Sequence, residues 1–202
     1  MRPTMQVAEG DVVKKGQALF LDKKREGVVH TAPASGRIVA INRGERRIFE
    51  SIVIEVAGDD EITFEQFSQD KLAELSRETV CDILVKSGEW TAFRTRPFSR
   101  TPAIDSTPSA IFVAAIDTNP LALDPMLVLK DEIDSFNDGL SVLSVLSPTT
   151  YVCHHIKDNL ERVARLAPTN QTAYHAFGGV HPAGLAGTHI HFLHPLARGV
   201  SV

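Results

Sequence analysis

Short apolar runs separated by glycine turns fill the first 57 residues, and this pattern constrains the fold more than any other. The runs are rich in β-branched residues, which are typical of strands, and the segments between them carry turn-forming residues. The runs include Ala18–Leu21, Arg37–Ile41 and Ser51–Val56, and turns fall at Glu9–Asp11, Pro33–Gly36 and Asn42–Gly44. Strands this short and closely spaced predict a small all-β sandwich or barrel over residues 1–58.

The rest of the chain has a different periodicity. Residues 59–80 break the β pattern and predict a connector, with a helix over Ser68–Cys81. Residues 81–202 then alternate between strand-like and helix-like segments, which predicts a Rossmann-like α/β domain with a parallel sheet. Strands are expected at Ser109–Ile116, Thr150–Cys153 and Thr188–Leu193 and helices at Val128–Phe136 and Ile156–Leu166, while Leu140–Leu146 fits either.

Composition excludes several classes of protein. A hydrophobic share of 43% supports a packed core, and a net charge of −4 argues against a general nucleic-acid binder. Cys81 and Cys153 are far apart, which argues against a disulfide framework and fits a reducing compartment. The longest apolar run, Ala110–Ile116, is far shorter than the roughly 18 residues of a membrane span. We therefore expect any attachment to a membrane to depend on partners.

The first motif resembles biotinyl and lipoyl carrier modules. It combines Val7–Leu19, with its Glu-Gly-Asp turn, and the Ala-Pro-Ala-Ser-Gly corner at Ala32–Gly36. A carrier would use a lysine in the Asp22–Arg25 segment, but Lys23 and Lys24 lie nine and eight residues before the Ala-Pro pair, where lipoyl modules have seven. The alternatives are a swinging-arm carrier and a carrier-like fold used as structure.

The second motif is Leu84–Phe98, which places aromatic and arginine side chains beside a proline. Arginine forks and aromatic faces suit a flat ligand with polar edges, such as a quinone or a nucleotide, or a partner protein. The candidate residues are Trp90, Arg94, Arg96 and Phe98. The alternative is that Trp90 and Phe93 fill a core while the arginines are solvated.

The third motif, Phe177–His194, is rich in glycine and histidine. Gly184 and Gly187 can form part of a backbone cradle for a phosphate, although the Gly-x-Gly-x-x-Gly order is missing. In a strand His189 and His191 would share one face, and with His181 they would make three metal ligands. Structural zinc needs four, so the alternative is a tight glycine corner with packed histidines. No catalytic constellation stands out elsewhere in the sequence, and we expect no metal.

Taken together, these motifs resemble one family, the A subunit of the sodium-translocating NADH:quinone reductase. The segments that carry the resemblance extend over nearly the whole chain. They are Met1–Met5, Glu9–Asp11, Ala32–Gly36, Trp90–Phe98, Asp117–Pro120 and His181–His191. Members of that family are longer at both ends, so the resemblance implies that this sequence is a fragment.

The resemblance carries several expectations about function. It implies a subunit without a transmembrane segment, held at the cytoplasmic face of the bacterial inner membrane by other subunits, some of them integral. The complex transfers electrons from NADH to ubiquinone and exports sodium, with NAD, FMN and iron–sulfur centres on sister subunits. The family's second domain is similar to the flavin subunit of respiratory complex I. Lys86–Arg96 would stand at the flavin loop, but it has a single glycine, so we expect no redox cofactor on this chain. The alternative function is a free-standing carrier module fused to a degenerate nucleotide-binding domain.

Overall fold

The computed structural model describes residues 3–158, 171–197 and 202, and the chain forms two compact units. The first unit contains Met1–Gln66, Cys81–Thr95 and Ser99–Ser106. The second contains Phe67–Val80, Arg96–Phe98 and Thr107–Val202.

Two antiparallel three-stranded sheets make up the first unit. One sheet has the order β1-β3-β4, with β1 at Pro3–Met5, β3 at Ala18–Asp22 and β4 at Val29–Thr31. The other has the order β2-β5-β6, with β2 at Val12–Val13, β5 at Gly36–Arg43 and β6 at Phe49–Val56. A short 3₁₀ helix, Glu45–Arg47, joins β5 to β6. The all-β fold predicted for this region is therefore confirmed.

The core of the first unit lies between its sheets. Val13 and Ile38 come from one sheet and Leu19 and Phe20 from the other, and all four are buried in one cluster. Gly36 begins β5 with a φ of 151°, and a Cβ there would lie 2.1 Å from the carbonyl oxygen of Glu55. The Ala-Pro-Ala-Ser-Gly corner therefore ends in glycine because β5 and β6 approach too closely for any side chain.

The region expected to form one connector helix divides in two. A 3₁₀ helix spans Gln69–Glu74, and α1 spans Arg77–Ser87 and so continues past Cys81. The break occurs because Ser76 is an N-cap: its hydroxyl accepts a hydrogen bond from Thr79 N at 3.1 Å, and its carbonyl accepts one from Val80 N. A third 3₁₀ helix, Glu89–Ala92, follows α1.

A parallel sheet of three strands organises the second unit, as the alternating pattern predicts. Its order is β7-β8-β9, with β7 at Ile111–Ala115, β8 at Thr150–His155 and β9 at Thr172–Phe177. The helices in the described part of this unit are α2 at Met126–Leu129, α3 at Ile133–Leu146 and α4 at Ala186–Leu193. Both faces of the sheet are covered: Leu140 of α3 packs on Ala115 and Val152, and the ring of His189 of α4 packs at a tilt against Phe177.

Several element boundaries differ from the expectations. The ambiguous Leu140–Leu146 is the second half of α3, while the helix expected over Val128–Phe136 is interrupted between α2 and α3. Thr188–Leu193 is helical, so the strand predicted there was wrong. His189 and Ile190 are buried and Leu193 is half-buried, a spacing that buries one side of a helix. Most of the expected helix Ile156–Leu166 lies outside the described residues.

Candidate functional site

The loops at the carboxyl ends of β7 and β9 meet at the edge where open α/β sheets usually bind ligands. Gly184 N donates a hydrogen bond to Thr118 Oγ1 at 2.9 Å, and His181 Nδ1 lies 3.5 Å from the same oxygen. A Cβ at Gly184 would lie 2.7 Å from Thr118 N. This glycine therefore permits two loops to pack against each other. The space beside its Cα is occupied by Thr118 and is not open to a phosphate.

Gly187 has different surroundings. It lies in the first turn of α4, and a Cβ placed on it would meet nothing within 4 Å. Leu185 precedes the helix without a side-chain cap, and Thr188 Oγ1 donates to the carbonyl oxygen of Pro182 at 2.9 Å. The two predicted glycines thus have separate structural roles, one at a loop contact and one at an open helix start.

His189 is a core histidine of the second unit. Its side chain is fully buried, and its Nε2 donates to the carbonyl oxygen of Ala183 at 2.8 Å. That bond fixes the neutral tautomer with the proton on Nε2, and Nδ1 is buried with no hydrogen-bond partner among the described residues. Burial lowers the pKa of His189, and the bond to Ala183 opposes this effect in part.

The predicted pairing of His189 and His191 on one strand face was wrong. Both lie on α4, where residues two apart diverge by about 200° around the helix axis. His191 is exposed and contacts Phe192 edge to face, while His189 points into the core. Within residues 3–158 and 171–197, no three histidine, cysteine, aspartate or glutamate side chains lie close enough together to hold a metal ion.

Trp90 belongs to the core of the first unit. Only 3% of its surface is exposed, and its Nε1 donates to the carbonyl oxygen of Pro102 at 3.1 Å. Its ring meets Phe93 edge to face, with 5.3 Å between centroids. An indole whose N–H is hydrogen-bonded and whose ring packs against another aromatic ring is not available to bind a ligand.

The other members of this segment have more accessible side chains. The guanidinium of Arg94 is exposed and donates to the carbonyl oxygens of Thr91 and Phe93. Arg96 and Phe98 belong to the second unit; Arg96 is half-buried and Phe98 is exposed. The four predicted residues are thus divided between the two units of the chain.

The single glycine of the flavin-loop counterpart is also engaged by protein. Gly88 ends α1 with a φ of 85°, and a Cβ there would lie 2.5 Å from Thr31 Oγ1. The same hydroxyl donates to the carbonyl oxygen of Ser87 at 3.2 Å. The space that glycine leaves here is occupied by β4, so these residues do not fit a phosphate cradle for a flavin.

The two candidate carrier lysines lie at a hairpin tip. Lys23 and Lys24 follow β3 in the turn that leads to β4, and both are exposed. Asp22 Oδ1 accepts a hydrogen bond from Lys24 N at 2.9 Å, which orders the start of the turn. An exposed lysine at a hairpin tip is accessible to a modifying enzyme, whichever role the fold serves.

Sequence reasoning missed two features at the carboxyl edge of the sheet. One is Thr118, which joins the loops after β7 and β9. The other is a set of exposed apolar side chains in the same loops, beginning with Leu121. The available signal was Pro120–Leu123, an apolar run placed directly after a strand and a turn, where polar residues are usual.

Comparisons with known proteins agree with this architecture. None of the helices in the described part of the chain is long and apolar enough to cross a membrane. The NqrA N-terminal barrel-sandwich hybrid domain matches residues 1–57, and the NqrA second alpha/beta domain matches residues 75–202. These matches confirm the predicted fold class.

Curated relatives agree over nearly the whole chain. The A subunit of the Na(+)-translocating NADH-quinone reductase from Glaesserella parasuis is 54% identical over 204 aligned residues, which cover 100% of this chain and 45% of the relative. The corresponding protein of Actinobacillus pleuropneumoniae is 55% identical, covering 97% of this chain and 44% of the relative. That of Yersinia pseudotuberculosis is 54% identical, covering 98% and 44%. The chain thus spans a little under half the length of these relatives, and it belongs to the NqrA family, the A subunits of Na(+)-translocating NADH-quinone reductases.

Proposed function

We propose that this chain is part of the A subunit of a membrane-bound Na(+)-translocating NADH:quinone reductase. One observation carries the proposal: identity of 54–55% to the A subunit of that enzyme extends over 97–100% of the chain. Substitutions at that level of identity preserve a fold and its main contacts. The function is therefore support of electron transfer from NADH to ubiquinone, coupled to sodium export, within a larger assembly.

The chain contributes binding surfaces rather than redox chemistry. Gly88 lies against Thr31, where a flavin loop would need an open glycine, and Cys81 and Cys153 are both buried in different units. Burial raises the pKa of the Cys153 thiol to about 12, which keeps the thiol protonated at neutral pH. NAD, FMN and the iron–sulfur centres are accordingly assigned to other subunits.

Contact with quinone or with a partner subunit is assigned to the segment that contains Arg94, Arg96 and Phe98. These three side chains are exposed or half-buried, whereas Trp90 is buried and packs against Phe93. Arg94→Ala and Arg96→Ala, tested singly and together, should lower quinone reductase activity of the assembled complex. Normal turnover in the double variant would mean that the segment is only structural.

The partners are the other subunits of the complex, including integral ones that hold this chain at the cytoplasmic face of the inner membrane. The test uses a chimeric NqrA protein, in which these 202 residues replace the matching part of the Actinobacillus pleuropneumoniae protein. The chimera is tagged and expressed in cells of that bacterium that lack their own NqrA gene. We expect the remaining reductase subunits to co-purify with the tag from detergent-solubilised membranes. Recovery of the chimera alone, in folded form, would contradict the proposal.

A carrier role is the second candidate, and one observation favours it: Lys23 and Lys24 are exposed at the tip of the β3–β4 hairpin. Intact-mass spectrometry of the chain from cells with active lipoylation and biotinylation separates the two functions. An unmodified mass is expected of a reductase subunit. A lipoyl or biotinyl adduct that disappears in Lys23→Arg or Lys24→Arg would establish the carrier role instead.

A further inference from the structure

Exposed apolar side chains lie at the carboxyl edge of the parallel sheet, where exposed side chains are usually polar. The loops after all three strands carry large apolar side chains that are exposed, with Leu121 at 106% of its reference area and Val180 at 86%. We call this set the apolar edge, and its members are Leu121, Leu123, Leu127, Val128, Ile156 and Val180. Exposed apolar patches of this kind mark sites of interaction in soluble proteins.

Contacts between the loops bring the segments that carry these side chains together at one edge of the sheet. The loop after β7 is joined to the loop after β9 by the hydrogen bond from Gly184 N to Thr118 Oγ1. The loops after β8 and β9 also touch, since a Cβ at Gly178 would lie 3.0 Å from Ile156 Cγ2. Because the three strands are parallel neighbours, all three loops start at the same edge of the sheet.

Leu121 is displayed by an ordered turn. Ala122 N donates to the carbonyl oxygen of Asn119 at 3.1 Å, and Leu121 has a φ of 63°. Its position in that turn normally favours glycine, because a side chain there is strained. Asp117 Oδ1 accepts hydrogen bonds of 2.8 Å from both the backbone and the side chain of Asn119, which holds the loop before the turn. The loop thus holds the side chain of Leu121 in solvent on a hydrogen-bonded turn.

The charges around this surface indicate what kind of partner it fits. Between positions 117 and 134 the exposed charged side chains are acidic except for one, and they comprise Asp117, Asp124, Lys130, Asp131, Glu132 and Asp134. An anionic membrane surface would repel such a rim. A protein surface with an apolar pocket and basic side chains around it would be complementary to the apolar edge in both hydrophobicity and charge.

We propose that the apolar edge docks onto a protein partner whose apolar pocket receives Leu121 and Leu123 and whose rim carries lysine or arginine. The inference rests on the function proposed above, and within that function the partner is another subunit of the reductase. The turn is already ordered, so little conformational freedom is lost when it docks.

The test measures binding of the chimeric NqrA protein to the other Actinobacillus pleuropneumoniae reductase subunits, purified together in detergent from cells without NqrA. Leu121→Ser combined with Leu123→Ser should weaken binding roughly tenfold or more, because two apolar side chains lose their burial. Val12→Ser combined with Val56→Ser is the matched control, since these exposed valines lie on strands of the first unit. The control should bind as the unchanged chimera does.

A second variant, Asp131→Lys, tests the charge of the rim without touching the apolar side chains. It should weaken binding at low salt, and the difference should shrink as salt is raised. Circular dichroism confirms that each variant is folded. If the unchanged chimera fails to bind at all, the proposed function itself is wrong, and the inferred docking partner is wrong as well.

Other outcomes overturn the docking inference alone. If the chimera binds and both the leucine pair and Asp131 can be changed without loss of affinity, the apolar edge is not the interface, although the proposed function stands. Flotation with phosphatidylglycerol vesicles that is lost in the leucine variant would assign the surface to lipid. A dimer of the chimera that is lost in the same variant would assign it to a second copy.

Discussion

Gly184 and Thr118 join two loops that are 66 residues apart in sequence, through a 2.9 Å hydrogen bond from the glycine N–H to the threonine hydroxyl. A Cβ on Gly184 would lie 2.7 Å from Thr118 N, which is backbone and cannot swing away. Gly184→Ala should therefore lower the free energy of unfolding by about 1–3 kcal/mol, the usual range for an added group in a tightly packed site. Urea denaturation followed by circular dichroism measures the change.

Gly187→Ala is the control for that substitution. Its Cβ meets nothing within 4 Å, and the residue lies in α4. Alanine is favoured over glycine in helices by up to about 1 kcal/mol, so this variant should be unchanged or slightly more stable. Equal losses in both variants would show that the loop contact does not explain the glycine at position 184.

His189 should make the stability of the chain fall at acidic pH. Burial lowers the pKa of His189 from the ordinary value of 6.5. As the pH falls below 6.5, this histidine is therefore protonated in the unfolded chain before it is protonated in the folded chain. The contribution of His189 to stability is then highest above pH 6.5. It decreases as the pH falls and levels off once the pH is below the pKa of His189 in the folded chain. Each unit of pKa difference contributes about 1.4 kcal/mol.

The check on this prediction compares the free energy of unfolding at pH 8 and pH 5 in the original chain and in His189→Gln. Glutamine can still donate to the carbonyl oxygen of Ala183 but does not titrate, so the loss between the two pH values should be smaller. His30, stacked on Phe20 in the first unit, also has a lowered pKa, mainly because of burial. His30→Gln should therefore remove a separate part of the loss. An unchanged pH dependence in His189→Gln would refute the assignment.

Trp90 should report on the core of the first unit, and not on ligand binding. It is the only tryptophan, so its fluorescence follows unfolding directly. Trp90→Phe leaves the part-buried carbonyl oxygen of Pro102 without its donor and should destabilise the chain by about 1–3 kcal/mol. Phe98→Ala, at an exposed position, should have a smaller effect. A Trp90→Phe variant of undiminished stability would reopen a ligand role for the indole.

The purified chain should be colourless and should need no zinc to fold. Gly88 is packed against Thr31, and the Nε2 of His189 is engaged by Ala183, so the described part of the chain holds no prepared set of groups for a flavin phosphate or a zinc ion. Calorimetry with FMN should show no micromolar binding, and a chelator should leave the melting temperature unchanged. Stoichiometric zinc by elemental analysis, with unfolding after chelation, would contradict this prediction.

Sequence reasoning was most successful where spacing alone determines geometry. Glu9–Asp11 and Ala32–Gly36 fix turns between short strands, and the apolar run ending at Ile116 is typical of a strand covered on both faces. It failed at His189 and His191, because alternation looks like a strand and only tertiary packing shows that His189 and Ile190 bury one side of a helix. The partner of Thr118 and the turn that displays Leu121 depend on contacts far apart in sequence, which no local pattern contains.

The most direct test of membership in the reductase is sodium-dependent turnover. Membranes from Actinobacillus pleuropneumoniae cells that contain the chimeric NqrA protein, and no other copy, are supplied with NADH and a soluble quinone. We predict quinone reduction that is stimulated by sodium, at a rate close to that of membranes with the unchanged protein. A chimera that is folded and present at normal abundance in the membranes, but supports no sodium-stimulated quinone reduction, would contradict membership.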